Sequence, residues 1–245
     1  MLKPEPYAPS VGHRAFKNRI YPEFARVAQA MASDRRLELL DLLAQGPRHV
    51  DALAAETEMS KANVSQHLQI LRAAHLVETE REGTKVLYRL AGDDVLRLWH
   101  ALRTVAENRL PEIEAIVRSY AVEGVRNAPF GVDEVLSRVR VGQLTLIDVR
   151  PPLEYENGHL PGAISVPPDE LENRARELPT DRPVAAYCRG AYCHFADEAV
   201  VYLESLGMEA YRLEDGWLEW RSRLASEPSE GQSTATNGPV AAGSR

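Results

Sequence analysis

Residues 60–90 read SKANVSQHLQILRAAHLVETEREGTKVLYRL, and two periodicities meet within them. In the first half, Val64, Leu68 and Leu71 recur at spacings of four and three, the stripe of an amphipathic helix that Ser60 opens as N-cap. That period turns Ala62, Asn63, Ser65, Gln66 and Gln69 away from the core. In the second half, the β-prone runs LVETE and KVLYRL flank Arg81-Glu82-Gly83-Thr84, with glycine where the backbone must reverse. That is a hairpin.

Working outward, HVDALAAET reads as a short helix joined to the first stripe by the tight turn Glu58-Met59-Ser60. Upstream, Phe24, Val27, Ala28 and Met31 keep helical spacing from Tyr21 on. Ser33 then caps a helix bearing Leu37, Leu40, Leu43 and Ala44, which Gly46-Pro47 ends. Downstream, Asp93 or Asp94 caps a long helix running to about Tyr120, with Val95, Leu98, Trp99, Leu102, Val105, Leu110, Ile113 and Ile116 as its apolar positions and Pro111 as a kink. Residues 1–20 are expected to be a flexible or helical arm.

Short helices, a hairpin and a closing helix give the order of a winged helix-turn-helix module. Short polar residues near the start of the second helix suit base edges in a major groove, here Ser60, Asn63, Ser65 and Gln66. Lys61 and the helix N-terminus suit phosphates, and Arg81 and Lys85 flank the hairpin tip. The net charge of −7 does not oppose this, because groove binding needs only a local basic face, and cations concentrate early in the chain while acids dominate later. The segment resembles the ArsR/SmtB family of bacterial repressors over roughly residues 23–120. The resemblance implies a double-stranded DNA operator and a homodimer joined through the first and last helices of the domain. Relatives that sense metals use cysteines or His/Asp pairs. This domain has no cysteine, and His100 lacks a second histidine at ligand spacing, so no metal site is expected.

After a linker over 123–130, strands alternate with helices, which implies a parallel sheet. The stretch LIDVRPPLEYENGHLPGAISVP (146–167) resembles the signature of the rhodanese superfamily. Asp148, Arg150, Gly158 and His159 are read there as structural residues tying the loops. The chemistry is placed in VAAYCRGAYCHFADEAV (184–200), which holds the only two cysteines, Cys188 and Cys193. A strand delivers Cys188 to its C-terminal end, and a helix begins near Cys193 or His194. Amides of the loop Arg189, Gly190, Ala191, Tyr192 and Cys193 are expected to wrap the sulfur, lowering its pKa and making it a nucleophile that accepts sulfane sulfur as a persulfide. Arg189 is expected to attract an anionic donor, and Cys193 is read either as a resolving thiol or as an incidental one. Related phosphatases and arsenate reductases close a longer loop with an arginine, but Cys193 and His194 stand at those places, which disfavours oxyanion chemistry. LEDGWLEW (213–220) resembles the rhodanese closing motif, with Asp215 where glycine is usual.

The expectation is therefore two domains: a mainly-α winged helix-turn-helix at 21–122 and an α/β rhodanese-like parallel sheet at 131–226, with a disordered tail over 227–245. The function expected is a sulfur-responsive DNA-binding regulator that takes sulfane sulfur on Cys188 from a small donor, with no cofactor beyond that covalent persulfide. Two alternatives stand beside it: a thiosulfate or persulfide sulfurtransferase tethered to a DNA-binding domain, and a soft-metal or arsenite-responsive repressor using Cys188, Cys193 and His194. No apolar run is long enough for a membrane span and the N-terminus lacks an apolar leader core, so a cytoplasmic protein is expected.

Overall fold

A computed structural model describes residues 12–122, 124–190 and 192–226. The expected tail over 227–245, the first eleven residues of the arm, and Ala191 lie outside the described residues.

Helix α1 (Gly12–Met31) begins nine residues before the first periodic position and runs through Pro22. Its side chains are almost all exposed up to Ala25, so that stretch has no burial rhythm to read. Helix α2 (Asp34–Gln45) starts after Ser33 as expected, but the Ser33 side chain makes no capping bond; its carbonyl accepts from the amides of Arg36 and Leu37 instead. Gly46 closes the helix at φ 152°, and a side chain there would collide with Asn157 of the second domain. The short strand β1 (Arg48–His49) leads into α3 (Val50–Glu56), and Glu58 makes the tight turn at φ 54°. Helix α4 (Lys61–Ala73) is capped by the Ser60 hydroxyl, which accepts from the Asn63 amide at 3.2 Å. Val64, Leu68 and Leu71 are fully buried beneath it.

The hairpin is β2 (Val77–Glu82) and β3 (Lys85–Leu90), and β1 pairs with β3 to give an antiparallel sheet of order β1-β3-β2. The long final helix divides into α5 (Asp93–Arg109) and α6 (Pro111–Tyr120). Pro111 disfavours a helical residue before it, and Leu110 is accordingly extended at φ −114° and ψ 95°.

The second domain is α7 (Val132–Arg140), β4 (Thr145–Asp148), α8 (Pro152–Glu156), β5 (Ile164–Ser165), α9 (Leu171–Arg174), β6 (Val184–Tyr187), α10 (Phe195–Ser205), β7 (Ala210–Arg212) and α11 (Trp217–Ser226). Its sheet is all parallel in the order β5-β4-β6-β7. Alternation sends Ile147, Val184 and Ala186 to one layer, and Leu146, Ala185 and Tyr187 to the other. The fold is thus a mainly helical winged helix-turn-helix followed by an α/β rhodanese-like sheet.

The two domains share packing. Leu218 of α11 is 0% exposed and belongs to the hydrophobic core of the winged helix domain, where α11 packs on α5 and α2. On the same helix, Arg221 donates to the carbonyl of Ala44 near the end of α2 at 2.7 Å, where helical carbonyls lack partners of their own.

Candidate functional site

Strand β6 ends at Tyr187, so Cys188 is the first residue past the sheet, at the C-terminal edge where parallel sheets present functional loops. The chain then turns through Gly190, and the Cys193 amide donates to the Gly190 carbonyl at 3.2 Å. This brings Cys193 back to Cys188, and the two are disulfide-bonded with their Cα atoms 6.1 Å apart. Helix α10 starts two residues later behind His194, whose Nδ1 lies 3.3 Å from Asp197. Gly216 fits against the loop so closely that a side chain there would come within 2.5 Å of the Gly190 nitrogen and would strike the Cys188 carbonyl.

The state differs from the expected ionised thiol. Cys188 is 2% exposed and packs in the layer with Ala186, Ala196 and Val149, its sulfur bonded rather than free. A disulfide sulfur carries no charge for peptide hydrogens to neutralise, and the Cys193 N–H is spent on a carbonyl. Cys193 is the more accessible of the pair.

Arg189 also departs from expectation, since its guanidinium does not stand open to a donor. Nε donates to both oxygens of Glu154 at 3.0 and 3.1 Å, and Nη2 lies 2.8 Å from Glu56 of α3. Glu154, 1% exposed, also takes Arg48 Nη2 at 2.5 Å, and Arg48 Nε donates to Glu56 at 2.9 Å. Arg48, Glu56, Arg189 and Glu154 therefore close a ring of alternating charge, two members from each domain. Burial works against the Arg189 charge, but Glu154 and Glu56 outweigh it and hold its pKa above the usual arginine value. The Arg48 strand pairs with the wing strand β3, so the ring joins the cysteine loop to the root of the wing.

A second set of contacts holds the other side of the loop. The Tyr192 hydroxyl donates to Glu107 of α5 at 2.5 Å, and the Arg103 guanidinium lies over the Tyr192 ring at 4.9 Å while pairing with Glu219 at 3.1 Å. Burial, then the bond to Glu107, pushes the Tyr192 phenol up to about 12.

Asp148 and Arg150 are both fully buried and bonded side to side, with Arg150 Nη2 also donating to the Gly158 carbonyl at 2.7 Å. Arg150 reaches Gln45 of α2 at 3.3 Å, and Tyr187 donates to Asp148 at 2.6 Å. His159 stacks on Tyr155 with ring centres 3.8 Å apart. These residues frame the loops. Among the described residues, no group of three or more His, Cys, Asp or Glu is placed to hold a metal ion.

In the winged helix domain, Lys61, Asn63 and Gln66 are exposed along the start of α4, Ser65 is half-buried, and Ser60 is exposed as its cap. Lys61 pairs with Asp51 at 2.9 Å, and Arg81 and Lys85 are exposed at the hairpin tip.

A winged helix-turn-helix carrying a rhodanese-like domain is the class these features define. A family profile for the arsR family of bacterial regulatory proteins matches residues 33–79, and one for the rhodanese-like domain matches residues 131–223. The HTH-type transcriptional regulator Rv0324 of Mycobacterium tuberculosis is 46% identical over 205 residues, covering 84% of this chain and 90% of that protein. The biofilm growth-associated repressor of Agrobacterium fabrum is 39% identical over 83 residues, covering 34% of this chain and 71% of that one. Among solved structures, a homodimeric winged helix-turn-helix domain from Mycobacterium bovis (fragment 1–100) is 43% identical, covering 42% of this chain and 93% of that chain with a TM-score of 0.39. The chain belongs to the ArsR family of transcriptional regulators, in a form that bears a rhodanese-like domain. No described helix is long and apolar enough to cross a membrane.

Sequence reasoning missed the residues of the seam: Arg48, Glu56, Glu154 and Arg103. Their partners lie up to 133 positions away, and no periodicity within one element marks such a pairing.

Proposed function

We propose that this regulator is sulfur-responsive and that Cys188 and Cys193 are its sensing pair. Sulfane sulfur loads onto Cys188 as a persulfide. The Cys193 thiolate then attacks the Cys188 sulfur, a Cys188–Cys193 bond forms, the outer S–S bond breaks, and its electron pair leaves with hydrosulfide. The sulfane sulfur is the oxidant and the two thiols are oxidised, so no other reagent is needed. The single observation carrying this reading is the disulfide on a loop whose next residue, Arg189, reaches across to Glu56 of the DNA-binding domain.

The winged helix reads a near-palindromic operator as a homodimer, with Asn63, Ser65 and Gln66 at base edges and Lys61, Arg81 and Lys85 at phosphates. Exposed apolar residues on α1 (Phe16, Tyr21, Phe24) and on α5–α6 (Leu102, Val105, Ile116) support a dimer built on the first and last helices of the domain. The buried position of Cys188 favours a sensor that reacts once over an enzyme that passes sulfur on repeatedly. The test is mass spectrometry of the reduced chain after polysulfide treatment. The expected product has lost two hydrogens to a Cys188–Cys193 crosslink, with hydrosulfide released in equal amount. Recovery of both cysteines as free thiols contradicts the reading, and catalytic sulfur transfer without a crosslink favours the sulfurtransferase alternative.

A further inference from the structure

Helix α11 is capped from within and tied to the cysteine loop by the same residues. Gly216 stands just before it, and Glu219 in its first turn reaches back, so that Oε2 accepts from the Gly216 amide at 2.9 Å. The next amide, Trp217 N–H, donates to the Cys188 carbonyl at 3.2 Å. A Cβ at Gly216 would lie 2.4 Å from that carbonyl oxygen, so the capping turn and the loop are in direct contact. A Cβ at Gly190 would meet the two carboxylate oxygens of Glu219 at 2.8 and 2.9 Å. The Glu219 carboxylate is therefore seated against the loop, at its Cys188 end.

Its other oxygen reaches the winged helix domain. Glu219 Oε1 takes Arg103 Nη2 of α5 at 3.1 Å, and the same nitrogen lies 3.5 Å from Glu107 Oε1. Glu107 in turn accepts from the hydroxyl of Tyr192, the residue before Cys193. One guanidinium nitrogen thus joins two arms, one ending at the Cys188 carbonyl and the other beside Cys193. Burial works against the Arg103 charge, but Glu219, Asp41 and Glu107 outweigh it and hold its pKa above the usual arginine value. The Arg103 and Glu219 side chains are 10% and 14% exposed, so salt and water screen the pair weakly. With Asp41 of α2, Arg103 forms a wall of a cavity of about 310 Å³ that Cys193 and His194 also line.

We propose that Glu219 is a positioning residue for the redox pair: bonded to Arg103, it pins both flanks of the cysteine loop to the DNA-binding domain and so favours the disulfide over the two thiols. The physical reason is loop entropy. Once the Cys188–Cys193 bond opens, a loop pinned at both flanks keeps the thiols together. A loop free at either flank spreads, and the bond is harder to form again. A charge on α5 thereby helps to set the reduction potential of a pair in the other domain. The inference rests on the redox pair proposed above and adds what tunes it.

The test equilibrates the full chain with mixtures of dithiothreitol and its cyclic disulfide, read by thiol alkylation and mass. Each Cys188–Cys193 bond reduced to two thiols leaves one dithiothreitol oxidised, so the ratio gives the potential directly. Glu219→Gln keeps an acceptor for the Gly216 amide and removes the charge facing Arg103. It is expected to shift the equilibrium about tenfold toward the thiols, a potential about 30 mV less negative. Tyr192→Phe, at an exposed ring, removes the donor to Glu107 and is expected to move the potential severalfold in the same direction. Because one loosened flank already frees the loop, the double variant is expected to move little further than Glu219→Gln alone. A residue that only caps α11, or that stabilises both redox forms equally, leaves the potential where it is. A Glu219→Gln or Tyr192→Phe potential equal to the wild type, a shift toward the disulfide, or a double variant whose two effects multiply each overturns the proposal. If the wild type forms the bond and Glu219→Gln titrates with it, the clamp alone fails; if the wild type forms no such bond, the redox pair fails and the clamp with it.

Discussion

Glu154 is an acid held out of water between two arginines. These are Arg48 and Arg189, and the acid itself belongs to a five-residue helix that begins at Pro152 with Pro151 before it. A carboxylate removed from water is tolerated only when its charge is matched and its lone pairs are bonded, and here two guanidiniums do both. Taking the carboxylate away leaves two arginines sharing the single carboxylate of Glu56, with the Arg48 side chain only 2% exposed. Glu154→Ala is therefore expected to cost about 3–5 kcal/mol in urea unfolding of the disulfide form; a loss under about 1 kcal/mol would show the ring to be decorative. The sequence marked Glu154 only as part of a motif, because its charge partners lie far off in the chain, Arg48 in the other domain and Arg189 on the cysteine loop. By contrast, Cys188 and Cys193 stood out at once: they are the only cysteines, set five apart at a strand end. A bond between them was one of the two readings the sequence left open, but the burial of Cys188 was not legible, since it depends on how the loop folds back through Gly190.

At the scale of elements, α4 and the hairpin were readable because each buries one face against its own domain, so 3.6- and 2-residue rhythms survive in the sequence. Helix α11 was not, although its tryptophans resembled a closing motif. Its inward residues divide between two cores: Trp217 packs in the rhodanese-like layer while Leu218 enters the winged helix. A stripe that serves two partners has no single periodicity. Helix α1 was only partly legible for the opposite reason, because it buries too little to leave a pattern before Val27. The placement of Leu218 gives a distinct prediction. Leu218→Ala should destabilise by about 2–5 kcal/mol, the range for a fully buried leucine, and should separate one unfolding transition into two in calorimetry as the domains lose their shared core. A single transition shifted only in midpoint contradicts the role of α11 as the joint.

Across the whole molecule, three contacts converge on the cysteine loop from the DNA-binding side: the charge ring at Arg189, the Tyr192–Glu107 bond, and the wall formed by Asp41 and Arg103. Opening the disulfide frees Cys193 from Cys188 and with it the loop geometry that holds Arg189 against Glu56 and Tyr192 against Glu107. Because Glu56 lies on α3 beside the wing root and Glu107 on α5, the proposed function has the sulfur state and operator affinity share one coupling free energy. The direct measurement is operator dissociation by mobility shift for the disulfide and reduced forms of the full chain, repeated with Cys188→Ser. The account predicts Kd values that differ between the two wild-type forms by at least about fivefold, within the usual range of allosteric coupling, and no response of Cys188→Ser to polysulfide. Identical Kd values for the two wild-type forms, or a Cys188→Ser protein that responds as the wild type does, would contradict it.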